Sequence, residues 1–423
     1  MNYQIEGLSA IEILDCRGRP TLKVHCSLSD AASGSASVPS GASTGKAEAV
    51  ELRDEEPNRY AGLGCRMAAA SVNEQLQPAL RGKAFSSPSE FDRALVDLDG
   101  TPNKARLGAN AILGASLAFA RACASQDGLA LYEYFAIMAG QSAVHLPRPF
   151  INLFSGGKHA GGQVDIQDVQ IIPVSAGSID EILATTYAVF QAGVEITRKD
   201  YQMRLLRADE GGLAPPFPTA EAMLETAVEA IHLAGFQPGE EILLAVDVAA
   251  SQFYRDGKYQ FAGEILDGDE LTARWLRWLE DYPIASLEDP LAEEDWPHWS
   301  ELSKQAAGKC LLIGDDLLCT NPARIEHAIK TGAASGLLLK VNQVGTLSEA
   351  LEAFHLARSA GWKVIASARS GDTEDDWLAD LSVGWSTEYI KVGSITQSER
   401  LAKYNRLLEL EQLADLRLQR WER

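Results

Sequence analysis

The stretch ARIEHAIKTGAASGLLLKVNQ (323–343) decides how this chain is read. Its first half reads as a helix. Its second half is a short apolar run suited to a buried strand, which ends on a lysine, Lys340, followed by Asn342 and Gln343. Working outward, the same helix-then-strand order recurs. AEAMLETAVEAIHLAG precedes EILLAVD, ELTARWLRWLEDY precedes PIASLEDP, and HWSELSKQAAG precedes KCLLIGDD; further on, LSEALEAFHLARSAG precedes WKVIASARS and DWLADLSVG precedes EYIKVGS. Six such units in a row predict a parallel sheet covered by helices, and at this length a closed barrel rather than an open sheet.

Each of these strands ends in a chemically capable side chain: Asp247, Glu288, Asp315, Lys340, Arg369 and Lys391. In a parallel barrel all strand C-termini open onto one face, so residues far apart in sequence converge there. Any one of the acids could be a helix cap or a loop salt bridge. Three carboxylates from separate strands, however, repel one another unless a hard cation lies between them, and oxygen-only ligation points to Mg²⁺. Such a cation lowers the pKa of a neighbouring lysine towards the range of a general base. Metal, carboxylates and lysine together suit removal of a proton α to a carboxylate.

The N-terminal 140 or so residues differ. They begin with strand-like pieces, IEILD and TLKVHCSL, around the turn CRGRP, and continue through SASVPSGASTGKAEAV. Two helical stretches follow, CRMAAASVNEQLQPAL and GANAILGASLAFARACASQDG, the second with Gly128 placed to stop it. An α+β domain is expected, joined to the barrel by AGQSAVHLPRPF.

Composition narrows the partners. The 423 residues are 46% hydrophobic and 23% charged, ordinary for a globular protein, and the net charge of −21 repels nucleic-acid phosphates and anionic lipid. Six cysteines, Cys16, Cys26, Cys65, Cys123, Cys310 and Cys319, form no CxxC pair, which fits reduced thiols. MNYQIEGLSAIEIL lacks a basic segment followed by an apolar core, and no run reaches the length of a membrane span, so a cytoplasmic protein with neither nucleic-acid nor membrane partners is expected.

With these residues in view, the chain resembles the enolase family, phosphopyruvate hydratase. The resemblance runs through VPSGASTG (38–45), LDGTPNKARLGANAILGASLA (98–118), SGGKHAGG (155–162), DEGGLAP (209–215), LEDPLAEEDW (287–296), GDDLLCTNP (314–322), LLLKVNQVGTLSEA (337–350), SARSGDTEDDWLADL (367–381) and IKVGSITQSERLAKYN (390–405). The enolase superfamily is the reference case for a lysine base working beside Mg²⁺. The resemblance implies a smaller α+β domain at residues 1–142 and a TIM-like (β/α)8 barrel of unusual strand order at 143–423, assembled as a homodimer or larger homo-oligomer. It also implies Mg²⁺-dependent, reversible dehydration of 2-phosphoglycerate to phosphoenolpyruvate, with two ions per site.

Carried over residue by residue, Asp247, Glu288 and Asp315 resemble the ligands of the first ion, and Ser43 the residue that binds the second. Lys340 resembles the base, Glu210 the acid that helps the C3 hydroxyl leave, and Asp168 the carboxylate that works with it. Lys391 resembles the lysine that pairs with the substrate carboxylate; Arg369 and Ser370 resemble phosphate contacts; His159, Gly41 and Ala42 resemble loop residues that close on the substrate. Both glycine-rich stretches, PSGASTG and SGGKHAGG, read as lids that exclude water.

Several positions depart from the enolase pattern. Ala368 stands where SHRSGETED has a histidine, Asp168 replaces a glutamate, Ser155 an asparagine, and Gln252 a glutamate. Losing a charge-assisted hydrogen bond costs about 1.5–3 kcal/mol, and shortening a catalytic arm can cost on the order of 100-fold in rate. If additive, the first two changes lower turnover roughly 10³- to 10⁴-fold. Two other readings therefore stand beside an enolase: a paralogue acting on a phosphonate or carboxyphosphono substrate, and a non-catalytic binding protein on the same scaffold.

Overall fold

The computed structural model describes residues 2–42, 45–141, 144–202, 204 and 206–421. Strands β1 (Tyr3–Leu14) and β2 (Pro20–Leu28) form an antiparallel hairpin. Its turn is built by Asp15, whose Oδ1 accepts from the backbone N–H of Arg17 (2.8 Å) and of Arg19 (3.0 Å). With β3 (Ser33–Ser37) and β4 (Ala84–Phe85) they make a four-stranded sheet in the order β3-β2-β1-β4.

The first helical stretch is α1 (Arg66–Ala70), a π-helical segment (71–76) and α2 (Gln77–Leu80). Helix α3 (Pro88–Asp99) starts at Ser87, whose hydroxyl accepts from Glu90 N–H. Helix α4 (Ala109–Asp127) ends at Gly128 as that residue's position predicts; it is buried along most of its length against β2 and β3 and is apolar almost all round. Helix α5 (Leu131–Met138) packs against the barrel helix α12 described below.

The remaining strands close into an eight-stranded barrel. These are β5 (Arg148–Ser155), β6 (Asp168–Pro173), β7 (Ile242–Asp247), β11 (Ile284–Glu288), β12 (Leu311–Gly314), β13 (Gly336–Leu339), β14 (Lys363–Ser367) and β15 (Tyr389–Gly393). Short strands β8 (Tyr254–Arg255), β9 (Lys258–Phe261) and β10 (Glu264–Leu266) form a separate antiparallel sheet after β7. Helices α6 (Ile179–Asp200) and α7 (Ala220–Leu233) lie between β6 and β7. Then α8 (Gly268–Asp281), α9 (Trp296–Ala306), α10 (Pro322–Thr331), α11 (Leu347–Ser359) and α12 (Trp377–Gly384) each precede a strand, and α13 (Ser398–Leu413) follows the last. The six helix–strand units expected from sequence are all present.

The structure corrects two expectations. The sheet is not wholly parallel: β6 pairs antiparallel with both β5 and β7, while every other barrel pairing is parallel. An apolar run carries no signal of strand direction. The end of the expected linker, residues 148–150, belongs to β5, because a proline near the start of a strand removes few ladder hydrogen bonds. Inside the barrel, Phe150, Ile172, Leu338, Ile365 and Tyr389 form an apolar cluster away from the strand C-termini. Among the described residues, no helix is long and apolar enough to cross a membrane.

Candidate active site

Reversal of β6 places its first residue, Asp168, beside the last residues of its neighbours, Ser155 of β5 and Asp247 of β7. One rim therefore gathers the C-termini of seven strands and the N-terminus of the eighth. The β5–β6 connection, which holds the 155–162 glycine-rich motif, crosses this rim as a hairpin. The segment joining α6 to α7 reaches it too: Ser155 N–H donates to Leu213 O (2.9 Å) and Ser394 N–H to Glu210 O (2.9 Å).

On the rim a small cavity of about 30 Å³ is lined by Ala42, His159, Glu210, Lys340, Arg369 and Lys391, with Asp247, Asp315, Ala368 and Ser370 among the other lining residues. Glu288 and Asp168 stand directly behind it, bonded to Lys391 and His159. Gly41 lines a neighbouring cavity instead. Ser43 lies outside the described residues.

Three cations dominate the floor. Lys391 Nζ donates to Asp247 Oδ2 (2.8 Å) and to both oxygens of Glu288 (2.8 and 2.7 Å). Lys340 Nζ donates to Asp315 Oδ2. Arg369 donates from NH1 and NH2 to the two oxygens of Glu48 (3.1 and 3.3 Å) and from NH1 to Asn342 Oδ1 (3.0 Å). All are buried or nearly so, hence the pairs are strong and hold their donors in fixed directions.

The protonation states follow. Burial pushes Lys340 down, but Asp315 beside it outweighs burial and the net direction is up. A carboxylate is its nearest charged partner here; the expected lowering of this lysine belongs to the cation-bound site. Lys391 is likewise held well above its usual value by Asp247 and Glu288 despite burial. Burial and the adjacent Asp247 carboxylate lift Glu288, whereas Lys391 draws Asp247 down against its own burial.

A second cluster forms the wall. His159 Nδ1 lies 2.9 Å from Asp168 Oδ2, and its Nε2 lies 3.9 Å from Glu210 Oε1. Ser155 Oγ donates to Asp168 Oδ1, and Asn152 Nδ2 donates to Glu210 Oε2 (3.0 Å). Burial disfavours a charged His159, yet the two carboxylates prevail and raise it to about 9. The same imidazole offsets the burial of Glu210 and, with Arg400 and the lysines, lowers it to about 2. Asp168, fully buried, is raised by desolvation. At neutral pH the proton of the His159–Glu210 pair therefore sits on histidine.

The donor chemistry fits a hard divalent cation. Asp247, Glu288 and Asp315 are buried carboxylates at the ends of the adjacent strands β7, β11 and β12, and no nitrogen or sulfur ligand stands among them. The set is more open than the sequence implies. The acidic triple whose ligating atoms fall within 4.8 Å of one another is Asp289, Asp315 and Asp316, while the Lys391 ammonium bridges Asp247 and Glu288. Asp247 and Glu288 are drawn to the Lys391 ammonium and Asp315 to that of Lys340, so the three carboxylates answer to two different cations.

Several participants escaped the sequence reading. Gln167 lines the cavity, donates to Asp247 Oδ2 (3.2 Å) and accepts from Gln252. Gln343 accepts from Thr320 Oγ1 (2.6 Å) and donates to Asp315 Oδ1 (2.9 Å). Arg17, from the β1–β2 turn, donates to Ser370 Oγ (3.2 Å), and the fully buried Arg400 donates to the carbonyls of Arg369 and Ser370 (2.7 and 2.8 Å). Gln167 carried one signal, a long polar side chain beside Asp168 in an otherwise strand-like run; Glu48 carried none beyond its place after the PSGASTG loop.

Two family models match the chain. The one described as "Enolase, C-terminal TIM barrel domain" matches residues 143–417, and the one described as "Enolase, N-terminal domain" matches residues 5–135.

Proposed function

Because the chain belongs to the enolase family, and so is an enolase-superfamily lyase, we propose that it removes water reversibly from 2-phosphoglycerate to give phosphoenolpyruvate. The observation that carries this reading is the meeting of Lys340, Lys391, Arg369 and the His159–Glu210 pair around one small cavity, from separate strands and loops. Lys391 and Arg369 supply fixed positive charge for the substrate's carboxylate and phosphate, and Ser370 adds a hydroxyl. These cations are paired with Asp247, Glu288 and Glu48, so the substrate's anionic groups compete for the same donors.

Lys340 takes the proton from the carbon next to the carboxylate. Its ammonium, paired with Asp315, is the state reached after that transfer, poised to return the proton when water adds. The leaving hydroxyl receives its proton from the His159–Glu210 pair, where histidine stores it. Asp247, Glu288 and Asp315 would hold Mg²⁺, which when bound would supply further positive charge to stabilise the developing negative charge of the substrate.

A cavity of about 30 Å³ holds roughly one water, so substrate entry requires the surrounding loops to shift. The test is direct: purified protein, Mg²⁺ and 2-phosphoglycerate, with phosphoenolpyruvate followed by its absorbance. No formation under conditions where an ordinary enolase works rejects the proposal.

A second reading has support in Ala368, whose short side chain lines the cavity beside Arg369 and Ser370. Once the loops shift, the methyl group of Ala368 would leave more room there than an imidazole, which favours a phosphonate or carboxyphosphono substrate. Higher kcat/KM for such a compound than for 2-phosphoglycerate would favour it. Assembly into a homodimer or larger homo-oligomer belongs to the same proposal.

A further inference from the structure

We propose that Ser155 is a positioning residue, whose hydroxyl fixes the Asp168 carboxylate so that His159 presents its Nε2 to Glu210; this rests on the reading of the His159–Glu210 pair as the proton source.

Ser155 closes β5 and Asp168 opens β6, and the two are register partners in the barrel sheet. Both are almost wholly buried, at 2% and 0% exposure, so neither has water to turn to. Asp168 has two oxygens and two side-chain partners. Ser155 Oγ donates to Oδ1 and His159 Nδ1 donates to Oδ2, which leaves the carboxylate no other orientation that keeps both bonds. With Nδ1 committed, His159 directs Nε2 towards Glu210 Oε1. Glu210 is steadied from the same strand by Asn152.

The serine is itself held. A Cβ on Gly212 would fall 2.4 Å from Ser155 Oγ, so the backbone that follows Glu210 packs against the hydroxyl and confines it. Ser155 N–H and Leu213 O are bonded at 2.9 Å, which ties the same two segments together. The consequence is a short rigid sequence of contacts, Ser155 to Asp168 to His159 to Glu210, in which the first member touches no reacting atom. Ser155 and Asp168 are both positions at which the chain departs from the enolase pattern, and here they touch each other.

Removal of the hydroxyl leaves Asp168 Oδ1 buried without a donor, which disfavours its charged form and weakens its hold on His159. The charged groups facing His159 are Asp168, Glu210 and, further off, Asp247. The experiment uses the full-length protein with Mg²⁺. His159 is titrated by NMR in wild type, Ser155→Ala and Ser155→Cys, with His159→Asn for assignment, while kcat and KM are measured across pH.

The expected result for Ser155→Ala is a drop of roughly tenfold or more in the proton affinity of His159 and a basic limb of kcat displaced to lower pH. A fall of roughly 10- to 100-fold in kcat is expected with KM within about twofold. Cysteine, a weak donor of similar shape, should move both readouts in the same direction. In an Asp168→Ala background, Ser155→Ala should change neither. Unchanged titration and kcat in both serine variants, or an equal further loss of kcat in the Asp168→Ala background, would overturn the proposal. If wild-type protein turns over no 2-phosphoglycerate, the proposed function fails by itself, and the titrations still decide the role of Ser155.

Discussion

Lys340 and its partner Asp315 mark where residue chemistry and function meet most closely. Lys340→Ala removes the only amine proposed to take the substrate proton, and kcat should fall roughly 10²- to 10⁴-fold, read by the phosphoenolpyruvate assay; it also leaves the Asp315 carboxylate without its paired ammonium, so calorimetry should find a lower melting temperature as well. His159 gives a pH dependence with a definite sign. Its folded pKa of about 9 stands above the ordinary histidine value of about 6.5, so the stability it contributes is complete below about pH 6.5 and is lost as pH rises through 9. That contribution is on the order of 3 kcal/mol, reduced in proportion as Asp168 shares the charge. The melting temperature should decline from pH 6.5 to 9 in wild type and decline less in His159→Gln; equal slopes would reject the assignment. Much of this was legible from sequence, because strand-end residues announce themselves by type and place. The pairing of Lys340 with Asp315 was not: it is a contact between residues on different strands that no linear pattern records.

At the scale of elements, the six helix–strand units were readable because each alternates an amphipathic helix with a short apolar run, and helix ends obeyed local chemistry such as the serine before α3. What sequence could not supply was pairing. β6 has the same apolar character as its parallel neighbours, and β5 was hidden by the two prolines of AGQSAVHLPRPF, one of which lies inside the strand. The α6–α7 segment shows how an element delivers a residue: Gly211 adopts φ +84, and a Cβ there would fall 2.6 Å from Thr396 Oγ1 and 2.9 Å from Thr396 O. Gly211→Ala should therefore cost about 1–3 kcal/mol and displace Glu210, with a larger loss in kcat than Ser178→Ala, which removes only the helix cap of α6 at about 1 kcal/mol. Denaturant unfolding and steady-state kinetics on the two variants separate these effects.

For the whole molecule, the acidic character of the chain and its buried carboxylates make cations stabilising partners. Mg²⁺ at about 100 times its dissociation constant should add about 2.7 kcal/mol of stability, seen as a rise in melting temperature that chelation reverses and that Glu288→Gln or Asp315→Asn abolishes. On the sheet of the first domain, Ile11 and Leu14 are 60% and 52% exposed, and Met67 nearby in the same domain is 51% exposed. Light scattering should find at least a dimer, and charged substitutions at Ile11 and Leu14 should dissociate it. The backward run of β6 also sets how the rim comes into being during folding. Ser155, His159 and Asp168 lie within 13 residues of one another on a single hairpin, so their contacts close a short loop; Lys391 and Asp247 are 144 residues apart and meet only when the last strand seals the cylinder. Short loops form far sooner than long ones. The proton-handling corner should thus gain protection from hydrogen exchange early in refolding, and the acid–lysine floor should follow with the final strand.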